Sequence, residues 1–443
     1  MSEHCGYIVK VENLRPHSNA DRLQIATFFG NDTCVGLDVQ QGDIGIYFPT
    51  DLQLSVEYCE VNNLVRKKDA EGNNIGGYMD PDKRNVKTIK LRGEKSDGIY
   101  MPINSLASFG DISTLSIGTH VDVFNGHEIC CKYIPRGNKR GPSGERNRKR
   151  KEKKVIVAPL FMEHADTEQL AYNLDAFKEG DQIEITLKMH GTSQRTGYLP
   201  VFKKYKRSIF DRIFKREGTP IYDWGYVSGT RRTVLENYEG GFYGSNAFRE
   251  DVSKFFEGKL HKGEEVFYEV VGYVNETTPI MSEVDNKKTQ DKEFIKQYGK
   301  TTIFSYGCEP GYHDFYVYRM TMTNEDGDVV EYSPDYMRYR CEQMGCKCVL
   351  RFWNGFIPND INEHFNPGEW VKNLVEEFYD GPDPIGKTHV REGVVCRIVN
   401  KPKFTAYKHK NFNFKVLEGI AKVEAEAPDM EEAEEVINED VSI

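Results

Sequence analysis

The chain has 443 residues, of which 38% are hydrophobic and 29% are charged, and its formal net charge is −10. These values are typical of globular proteins, and the length suffices for two or three domains with sizeable cores. No stretch approaches the ~18 apolar residues of a membrane span, so the sequence excludes a protein that crosses a membrane by helices and predicts no membrane partner.

The N-terminus and the cysteines indicate a compartment. Residues 1–5 lack a basic region followed by an apolar run, so the sequence shows no secretory signal. The ten cysteines have no C-x-x-C spacing, and the adjacent Cys130 and Cys131 cannot easily bind one zinc ion. We therefore expect reduced thiols in the cytoplasm or in another reducing intracellular compartment.

Residues 1–135 are predicted to form an all-β domain. Short apolar runs, such as residues 7–11, 23–29 and 33–39, recur between turns that are rich in Gly, Asn and Asp. About five strands of this kind are typical of a small barrel of the oligonucleotide-binding (OB) type. Such barrels often bind nucleic acid, although they also serve as structural modules.

Basic residues are concentrated in two places. Lys87, Lys90 and Arg92 alternate on a predicted strand and could follow a nucleic-acid backbone, but a solvated strand face fits them equally well. Residues 136–154 are predicted to be a linker with ten basic and two acidic residues. This linker is either a flexible connector or an arm that contacts phosphates, and binding by such an arm weakens steeply with salt.

A strand that runs into a turn is predicted over residues 183–193. Apolar residues at 183, 185 and 187 alternate with polar residues, which is the period of a sheet with one buried face. Lys188 lies at the end of this strand on its polar face, and Gly191 permits a tight turn after it. An ordinary lysine titrates near pH ~10.4 and is a poor nucleophile, so a reactive Lys188 requires partners elsewhere in the chain.

Residues 155–421 are predicted to form a larger α+β domain around Lys188. Within it, residues 202–216 place apolar residues three and four apart with basic residues between them. This spacing predicts an amphipathic helix with a basic face. The face could bind phosphate, or it could simply be solvated.

Three later strands carry charged residues in apolar surroundings. Glu269 is the one carboxylate in a run that is apolar on both faces, so we expect it to be paired. Glu392 stands next to a glycine, just before another apolar run. Lys408 and Lys410 are two residues apart, so both point to the same face of their predicted strand.

The end of the chain is strongly acidic. Residues 424–443 contain nine acidic residues and no basic one, so residues 1–423 carry a net charge of only −1. We predict an acidic disordered tail over residues 422–443. The net charge of the whole chain therefore says little about its partner.

Five short motifs, in a fixed order, resemble those of the covalent nucleotidyltransferases, which comprise DNA ligases, RNA ligases and mRNA capping enzymes. Residues 188–191 match the nucleophile motif K-x-(D/H/N)-G of this superfamily. The later motifs of the superfamily resemble residues 267–272, 315–318, 391–395 and 408–410. Each match is weak alone, and the order of all five over about 220 residues carries the resemblance.

Two further features make the chain similar to RNA ligases of the fifth family. Residues 190–193, His-Gly-Thr-Ser, look like the RNA ligase version of the first motif. A barrel that precedes the transferase domain is similar to the fifth family, whereas in DNA ligases and capping enzymes the barrel follows. One departure is Arg319, where ligases often have Asp. The resemblance implies an N-terminal OB domain and a nucleotidyltransferase domain of antiparallel sheets with flanking helices.

The resemblance also implies a role for each matched residue. Lys188 would attack the α-phosphate of ATP and carry AMP as a phosphoramidate. Lys408 and Lys410 would contact the phosphates and neutralise the charge that builds in the transition state. Glu392 would hold Mg²⁺ or Mn²⁺, largely through water. Glu269 would accept a hydrogen bond from a ribose hydroxyl.

Five other positions are predicted to bind the nucleotide. Tyr318 would stack on adenine, a contact worth roughly 1–3 kcal/mol. Arg231 would touch the nucleotide or the phosphate at the nick. Thr186, His190 and Gly191 flank the nucleophile and complete the predicted set.

The implied activity is that of an ATP-dependent RNA ligase acting in RNA repair, expected to be monomeric. It would seal breaks between a 3′-OH and a 5′-phosphate in a nicked duplex or an RNA/DNA hybrid, with RNA on the 3′-OH side, through an adenylylated 5′-phosphate. Two alternatives stay open. One is a guanylyltransferase that caps mRNA, against which the leading barrel argues, and the other is a nucleic-acid-binding protein with an inactive ligase domain.

Overall fold

The computed structural model describes residues 4–68, 74–134, 156–209, 211, 214, 218–231, 233–235, 238, 246–359 and 364–424. The predicted linker over residues 136–154 lies outside these residues. So does the predicted acidic tail from residue 425 onward. Residues 422–424 of that predicted tail belong instead to the last helix of the described chain.

The first part of the described chain is built from short strands. Its strands are β1 Gly6–Lys10, β2 Leu14–Pro16, β3 Leu23–Phe28, β4 Asn31–Gly36, β5 Ile44–Phe48, β6 Leu52–Leu54, β7 Lys67–Lys68, β8 Asn74–Gly76, β9 Thr88–Leu91, β10 Glu94–Asp97, β11 Ile99–Pro102, β12 His120–Val121, β13 Val123–Phe124, β14 His127–Glu128 and β15 Cys130–Lys132.

The second part of the described chain contains long strands as well as short ones. They are β16 Glu168–Gln169, β17 Gln182–Lys188, β18 Thr192–Lys206, β19 Thr219–Gly229, β20 Glu264–Gly272, β21 Val284–Asp285, β22 Thr301–Thr302, β23 His313–Thr323, β24 Val329–Glu331, β25 Lys347–Cys348, β26 Arg351–Phe356, β27 Gly393–Ile398 and β28 Thr405–Lys410.

Helices are few among the described residues, and most are short. The α-helices are α1 Val56–Val61, α2 Ala247–Phe255, α3 Lys292–Tyr298, α4 Pro334–Met344, α5 Pro367–Glu376 and α6 Phe412–Glu424. Single 3₁₀ turns cover Ile103–Leu106, Ile112–Thr114, Leu170–Tyr172, Leu174–Ala176 and Asn286–Thr289. The mixture of mostly antiparallel sheets with few helices confirms the predicted α+β class. None of the described helices has the length and apolarity needed to cross a membrane.

The chain divides into two compact units. The first consists of residues 1–136, 284–301 and 412–428, and the second of residues 137–283, 302–411 and 429–443. The first unit therefore contains two segments from the later part of the chain, which include α3 and α6. The domain boundaries predicted from the sequence were contiguous, and they stay a prediction.

The first unit contains antiparallel sheets around one apolar core. One sheet has the strand order β11-β5-β1-β12, another has the order β2-β3-β4, and β9 pairs with β10. Ile8, Ile46, Phe48, Leu54 and Leu106 are fully buried in its core. These ladders do not close into a barrel among the described residues, so they do not confirm the OB-type barrel.

Two hairpins of the first unit turn in the same way. Phe29 and Gly30 join β3 to β4, and Arg92 and Gly93 join β9 to β10. All four have positive φ, at 50°, 78°, 48° and 96° in chain order. This is the backbone of a two-residue type I′ turn, whose twist matches that of the strands and which favours Gly.

The first unit also contains two ion pairs between residues far apart in sequence. Lys415 of α6 pairs with Asp97 at the end of β10. Lys90 of β9 pairs with Asp291, the N-cap residue of α3. Because Lys90 is held by this carboxylate, the predicted stripe of three bases does not present three solvated charges to a backbone.

The first sheet of the second unit has the strand order β16-β28-β27-β17-β26. Its apolar face, with Ile183, Ile185 and Cys396, packs under Val371 and Val375 of α5. The sequence predicted that the opposite face of β17 would be solvated. That prediction was wrong for two of its residues, because Glu184 and Thr186 are buried.

The second sheet has the strand order β19-β18-β20-β23-β24 and contains the longest strands. The prediction of a helix over residues 202–216 was wrong for residues 202–206, which belong to β18 and pair with β19. Cross-strand pairing thus overrides the local helical spacing there. Five of the ten remaining residues of the predicted helix lie outside the described chain.

Candidate active site

Strand register brings Lys188 and the late lysines onto one face. Lys188 lies opposite Gly393 of β27, and Gly393 lies opposite Lys410 of β28. Two residues away, Thr186 lies opposite Val395, which lies opposite Lys408. Residues directly opposite each other across a ladder point to the same side. The three lysines therefore share one face of the sheet.

Gly393 allows the carboxylate before it to reach the lysines. Its φ is +146°, and a Cβ atom at this position would lie 2.1 Å from the carbonyl oxygen of His409. No side chain therefore fits between Lys188 and Lys410. The absence of a side chain at Gly393 leaves room beside the two lysines, and Glu392 precedes this position in the chain.

Glu392 is the carboxylate closest to the Lys188 amine. Its Oε1 lies 2.8 Å from Nζ of Lys188 and 3.9 Å from Nζ of Lys410. The side chain is only 2% exposed. Its other oxygen, Oε2, has no hydrogen-bond partner among the described residues. A buried carboxylate oxygen without a partner is costly, and it suits a divalent cation, which prefers oxygen ligands.

The described residues contain no cluster of three or more His, Cys, Asp or Glu side chains that could enclose a metal ion. Glu392 could therefore supply a single protein ligand. Mg²⁺ is commonly bound in this way, through one or two carboxylates with water and substrate phosphates completing the shell. The residues present fit a metal that arrives with a nucleotide.

Glu269 of β20 faces the turn that follows Lys188. The backbone N–H of Gly191 donates a 3.1 Å hydrogen bond to Oε1 of Glu269. A Cβ atom on Gly191 would lie 2.3 Å from the carbonyl oxygen of Val270, so only glycine permits this approach. The predicted pairing of Glu269 is thus made with a backbone amide, and its carboxylate also lines the cleft.

Tyr318 is placed by an irregularity in β23. Tyr268 pairs with Val317 and Phe267 pairs with Arg319, so Tyr318 is the extra residue of a β-bulge. A bulge re-aims the side chain that it carries. The Tyr318 hydroxyl lies 3.0 Å from Oγ of Ser193, and the ring lines the cleft.

The cleft is lined by five of the predicted residues: Thr186, Lys188, Arg231, Glu269 and Tyr318. It encloses about 820 Å³, including open solvent at its mouth. Arg231 is also held by Asp166, with Nη2 2.6 Å from Oδ1. Of the other predicted residues, Lys408 and Lys410 share the face of Lys188 through the strand register, and Glu392 contacts Lys188 directly.

His190 does not line the cleft. Its backbone N–H donates to the hydroxyl of Tyr306 at 2.6 Å, and its ring lies edge-on against Phe304. Its role as a nucleotide-binding residue stays a prediction.

Sequence reasoning missed several cleft residues, among them His164, Glu184, Arg397 and Phe404. His164 lies in an irregular segment without any period, so no local signal indicates it. Burial, and then the positive charges of Arg319, Arg231, Arg195 and Lys188, hold the pKa of His164 well below its usual range. The wall of the cleft thus contains a neutral imidazole among cations.

Arg319, the one departure from the ligase pattern, has a visible structural role. It forms an ion pair with Glu331, and its guanidinium lies over the rings of Phe267 and Phe404. Its Nη1 is 3.3 Å from Nδ1 of His164. Arg319 therefore ties β23 to the cleft wall, so Arg can occupy this position without disrupting the site.

The fold of the chain is similar to that of a solved RNA ligase. An RNA ligase from Naegleria gruberi, solved as a lysine-to-methionine variant with AMP and Mn, matches with a TM-score of 0.55 and 15% identity over 93% of this chain and 98% of its own. The same ligase with pyrophosphate gives a TM-score of 0.55 and 16% identity over 93% and 97%. A lysine-to-alanine variant of the same ligase, solved with ATP and Mn, matches with a TM-score of 0.52 and 14% identity over 93% of this chain and 98% of its own.

No model of a known protein family matches the chain, and no curated protein matches it by sequence. The structural likeness therefore rests on the fold over nearly the whole of both chains. At this identity, the likeness identifies the fold, and the chemistry has to be argued from the residues of this chain.

Proposed function

We propose that this protein is an ATP-dependent RNA ligase that seals 3′-OH/5′-phosphate breaks through an adenylate on Lys188. The observation that carries the proposal is the cluster formed by Lys188, Glu392 and Lys410 around Gly393, at a cleft that Lys188, Glu269 and Tyr318 line. The match of the fold to an RNA ligase solved with ATP, AMP and Mn supports the same reading.

The first step is adenylylation. The Lys188 amine attacks the α-phosphorus of ATP, a new P–N bond forms, and the bond to pyrophosphate breaks. Lys408 and Lys410 share the face of Lys188 and neutralise charge on the phosphates as pyrophosphate leaves. Glu392 accepts from the protonated amine before the reaction and orients it. Mg²⁺ or Mn²⁺, held by Glu392, would add positive charge at the phosphates.

Two further side chains hold the nucleoside. Glu269 and Tyr318 lie on neighbouring strands of the second sheet, and both line the cleft. Tyr318 offers an aromatic face to the adenine, and the Glu269 carboxylate accepts from a ribose hydroxyl. Arg231 lies in the same wall and contacts the nucleotide or the phosphate at the break. The AMP then passes to the 5′-phosphate of the break, and the 3′-OH displaces it.

Labelling with α-³²P-ATP and Mg²⁺ or Mn²⁺ tests the proposal. The protein should become labelled, and Lys188→Ala should abolish the label. Lys254→Ala, which changes an exposed lysine of α2 paired only with Glu250, is the matched control and should keep it. A label that survives Lys188→Ala would refute the assignment of Lys188 as the nucleophile. Labelling by α-labelled GTP instead of ATP would indicate a capping-type guanylyltransferase.

The first unit is proposed to bind the nucleic-acid substrate as an OB-type domain. Its antiparallel sheets and its position before the transferase region support this role. A panel of nicked duplexes, with RNA or DNA on each side of the break, tests the substrate. We expect sealing to require RNA at the 3′-OH side, and efficient sealing of all-DNA nicks would contradict this.

A further inference from the structure

The turn that follows Lys188 is supported by residues that belong to none of the sequence motifs. The His190 N–H donates to the hydroxyl of Tyr306 at 2.6 Å. The His190 ring packs edge-on against Phe304, with centroids 4.7 Å apart. Phe304 and Tyr306 are buried, and neither lines the cleft. They thus hold the turn without offering any group to a nucleotide.

The same two rings pack against the segment that leads to Glu392. The Tyr306 ring is T-shaped to His389, with centroids 4.6 Å apart, and the Phe304 ring lies 5.1 Å from it. His389 is fully buried, and its Nδ1 lies 2.9 Å from the carbonyl oxygen of Val390. Glu392 follows three residues after His389. Residues 304–306 therefore connect the turn after Lys188 to the segment before Glu392.

The backbone of Tyr306 is in an unfavourable conformation. Its φ is +51°, in the left-handed region that bulky residues rarely adopt because it is strained. Close packing enforces it, because a Cβ atom on Gly386 would lie 2.4 Å from the Gly307 nitrogen and 2.7 Å from the Tyr306 carbonyl carbon. Such strain persists only where the surroundings fix it, and it is concentrated at functional sites.

The Tyr306 side chain remains a neutral phenol. Burial, followed by the negative charge of Glu392, raises the pKa of Tyr306 well above its usual range. Its oxygen accepts the hydrogen bond from the His190 N–H. Without this acceptor, a backbone N–H beside the nucleophile would lose its partner.

We propose that Tyr306, with Phe304, is a positioning residue for adenylylation of Lys188. The hydroxyl and the two rings fix the turn over residues 188–191 relative to Glu392, so that the Lys188 amine is aimed into the cleft. This inference rests on the proposed function. The inference goes beyond the proposed function because it assigns a role to residues 304–306, which lie outside the cleft and outside the motifs.

Single-turnover labelling with α-³²P-ATP and Mg²⁺ over a range of ATP concentrations tests the inference. Tyr306→Phe should lower the maximal rate of adenylylation by about 10- to 100-fold, since small misplacements of a reacting group have such effects. The half-saturating ATP concentration should change by less than about twofold, because no cleft contact is lost. Tyr332→Phe is the matched control, since its hydroxyl bonds Glu264 at 3.1 Å, and it should keep the wild-type rate.

The outcomes separate this inference from the proposed function. A wild-type protein that takes no label refutes the function itself. A labelled wild type with Tyr306→Phe at the same maximal rate, or with only the half-saturating ATP concentration changed, overturns the positioning role. If Tyr306→Phe does not fold, as judged by its thermal transition, Phe304→Leu replaces it and must show the same loss of maximal rate. An unchanged rate in Phe304→Leu then overturns the inference.

Discussion

Two buried lysine–carboxylate pairs, one in each unit, differ in how fully the carboxylate is satisfied. In the first unit, Oδ1 of Asp97 accepts from the hydroxyls of Thr50 and Thr88, and Oδ2 pairs with Lys415. In the second unit, Oε1 of Glu392 pairs with Lys188, and Oε2 has no hydrogen-bond partner among the described residues.

The difference separates a structural pair from a reactive one. The two carboxylates have similar sequence neighbours, since each precedes a glycine, Gly98 or Gly393. Both glycines have positive φ. A carboxylate with both oxygens bonded stabilises a single conformation. One with a buried, unbonded oxygen retains a desolvation cost of about 1–3 kcal/mol that a ligand can recover. Hydrogen-bond satisfaction, rather than burial, therefore distinguishes the pair that we propose to meet the substrate from the pair in the first unit.

Removing the charge of Glu392 should have the largest effect. Glu392→Gln keeps the volume but weakens both the orientation of Lys188 and the hold on a divalent cation. We expect adenylylation to fall by about 10³-fold, measured by labelling with ATP over a titration of Mg²⁺ or Mn²⁺. The thermal transition should change little, because the Lys188 side chain is partly exposed, so water can solvate its amine when the carboxylate charge is lost. A rate within tenfold of the wild type would contradict the assignment.

Breaking the other pair should affect stability instead. Lys415→Met leaves the Asp97 carboxylate buried without its cation, and we expect the free energy of unfolding to fall by about 3 kcal/mol. Urea unfolding measures this change. Lys254→Met, at an exposed pair, should be indistinguishable from the wild type. Adenylylation by Lys415→Met, assayed well below its transition, should be unchanged, and a large loss there would remove the contrast between the pairs.

A smaller effect on rate is expected at the far side of Gly393. Lys410→Ala removes one of the cations on the shared face and should slow adenylylation by about 10²-fold, or about 2.7 kcal/mol. Lys403→Ala, at an exposed lysine before β28, serves as the control. If both variants retain the wild-type rate, Lys410 does not act on the phosphates.

The smallest effect concerns pH. The pKa of His164 is depressed in the folded protein, so below its unfolded value of about 6.5 the unfolded chain binds a proton that the folded chain does not. Stability should therefore fall as the pH drops below about 6.5, by at most about 1.4 kcal/mol per pH unit. Urea unfolding at about pH 5.5 and 7.5 measures this slope, and His164→Gln should reduce it. An equal slope in the variant would show that other groups cause it.

The parts of the site that could be predicted are those carried by strands. Alternation on β17 and β28 predicts the faces of Lys188, Lys408 and Lys410, and the order of the motifs predicts that they meet Glu392. The structure adds the register through Gly393, which local patterns cannot supply, because pairing between β17 and β27 joins residues about 200 positions apart.

The parts that could not be predicted depend on contacts without a local signal. His164 and Phe404 reach the cleft from irregular segments, and Tyr306 reaches the turn after Lys188 from a strained one. Residues 202–206 carry helical spacing, yet β18 continues through them because β19 pairs alongside. The sequence offers Lys90 as a candidate contact to nucleic acid, but its amine pairs with Asp291, 201 residues later in the chain.

The placement of α6 in the first unit has a consequence for biosynthesis. Asp97 and Lys415 are separated by 318 positions, so a ribosome has made nearly the whole chain before that contact can form. Contacts of such long range slow folding. Until α6 has been made, Asp97 has no Lys415 with which to pair. A message that ends before codon 412 would thus yield an incomplete first unit, even though residues 1–136 had all been translated.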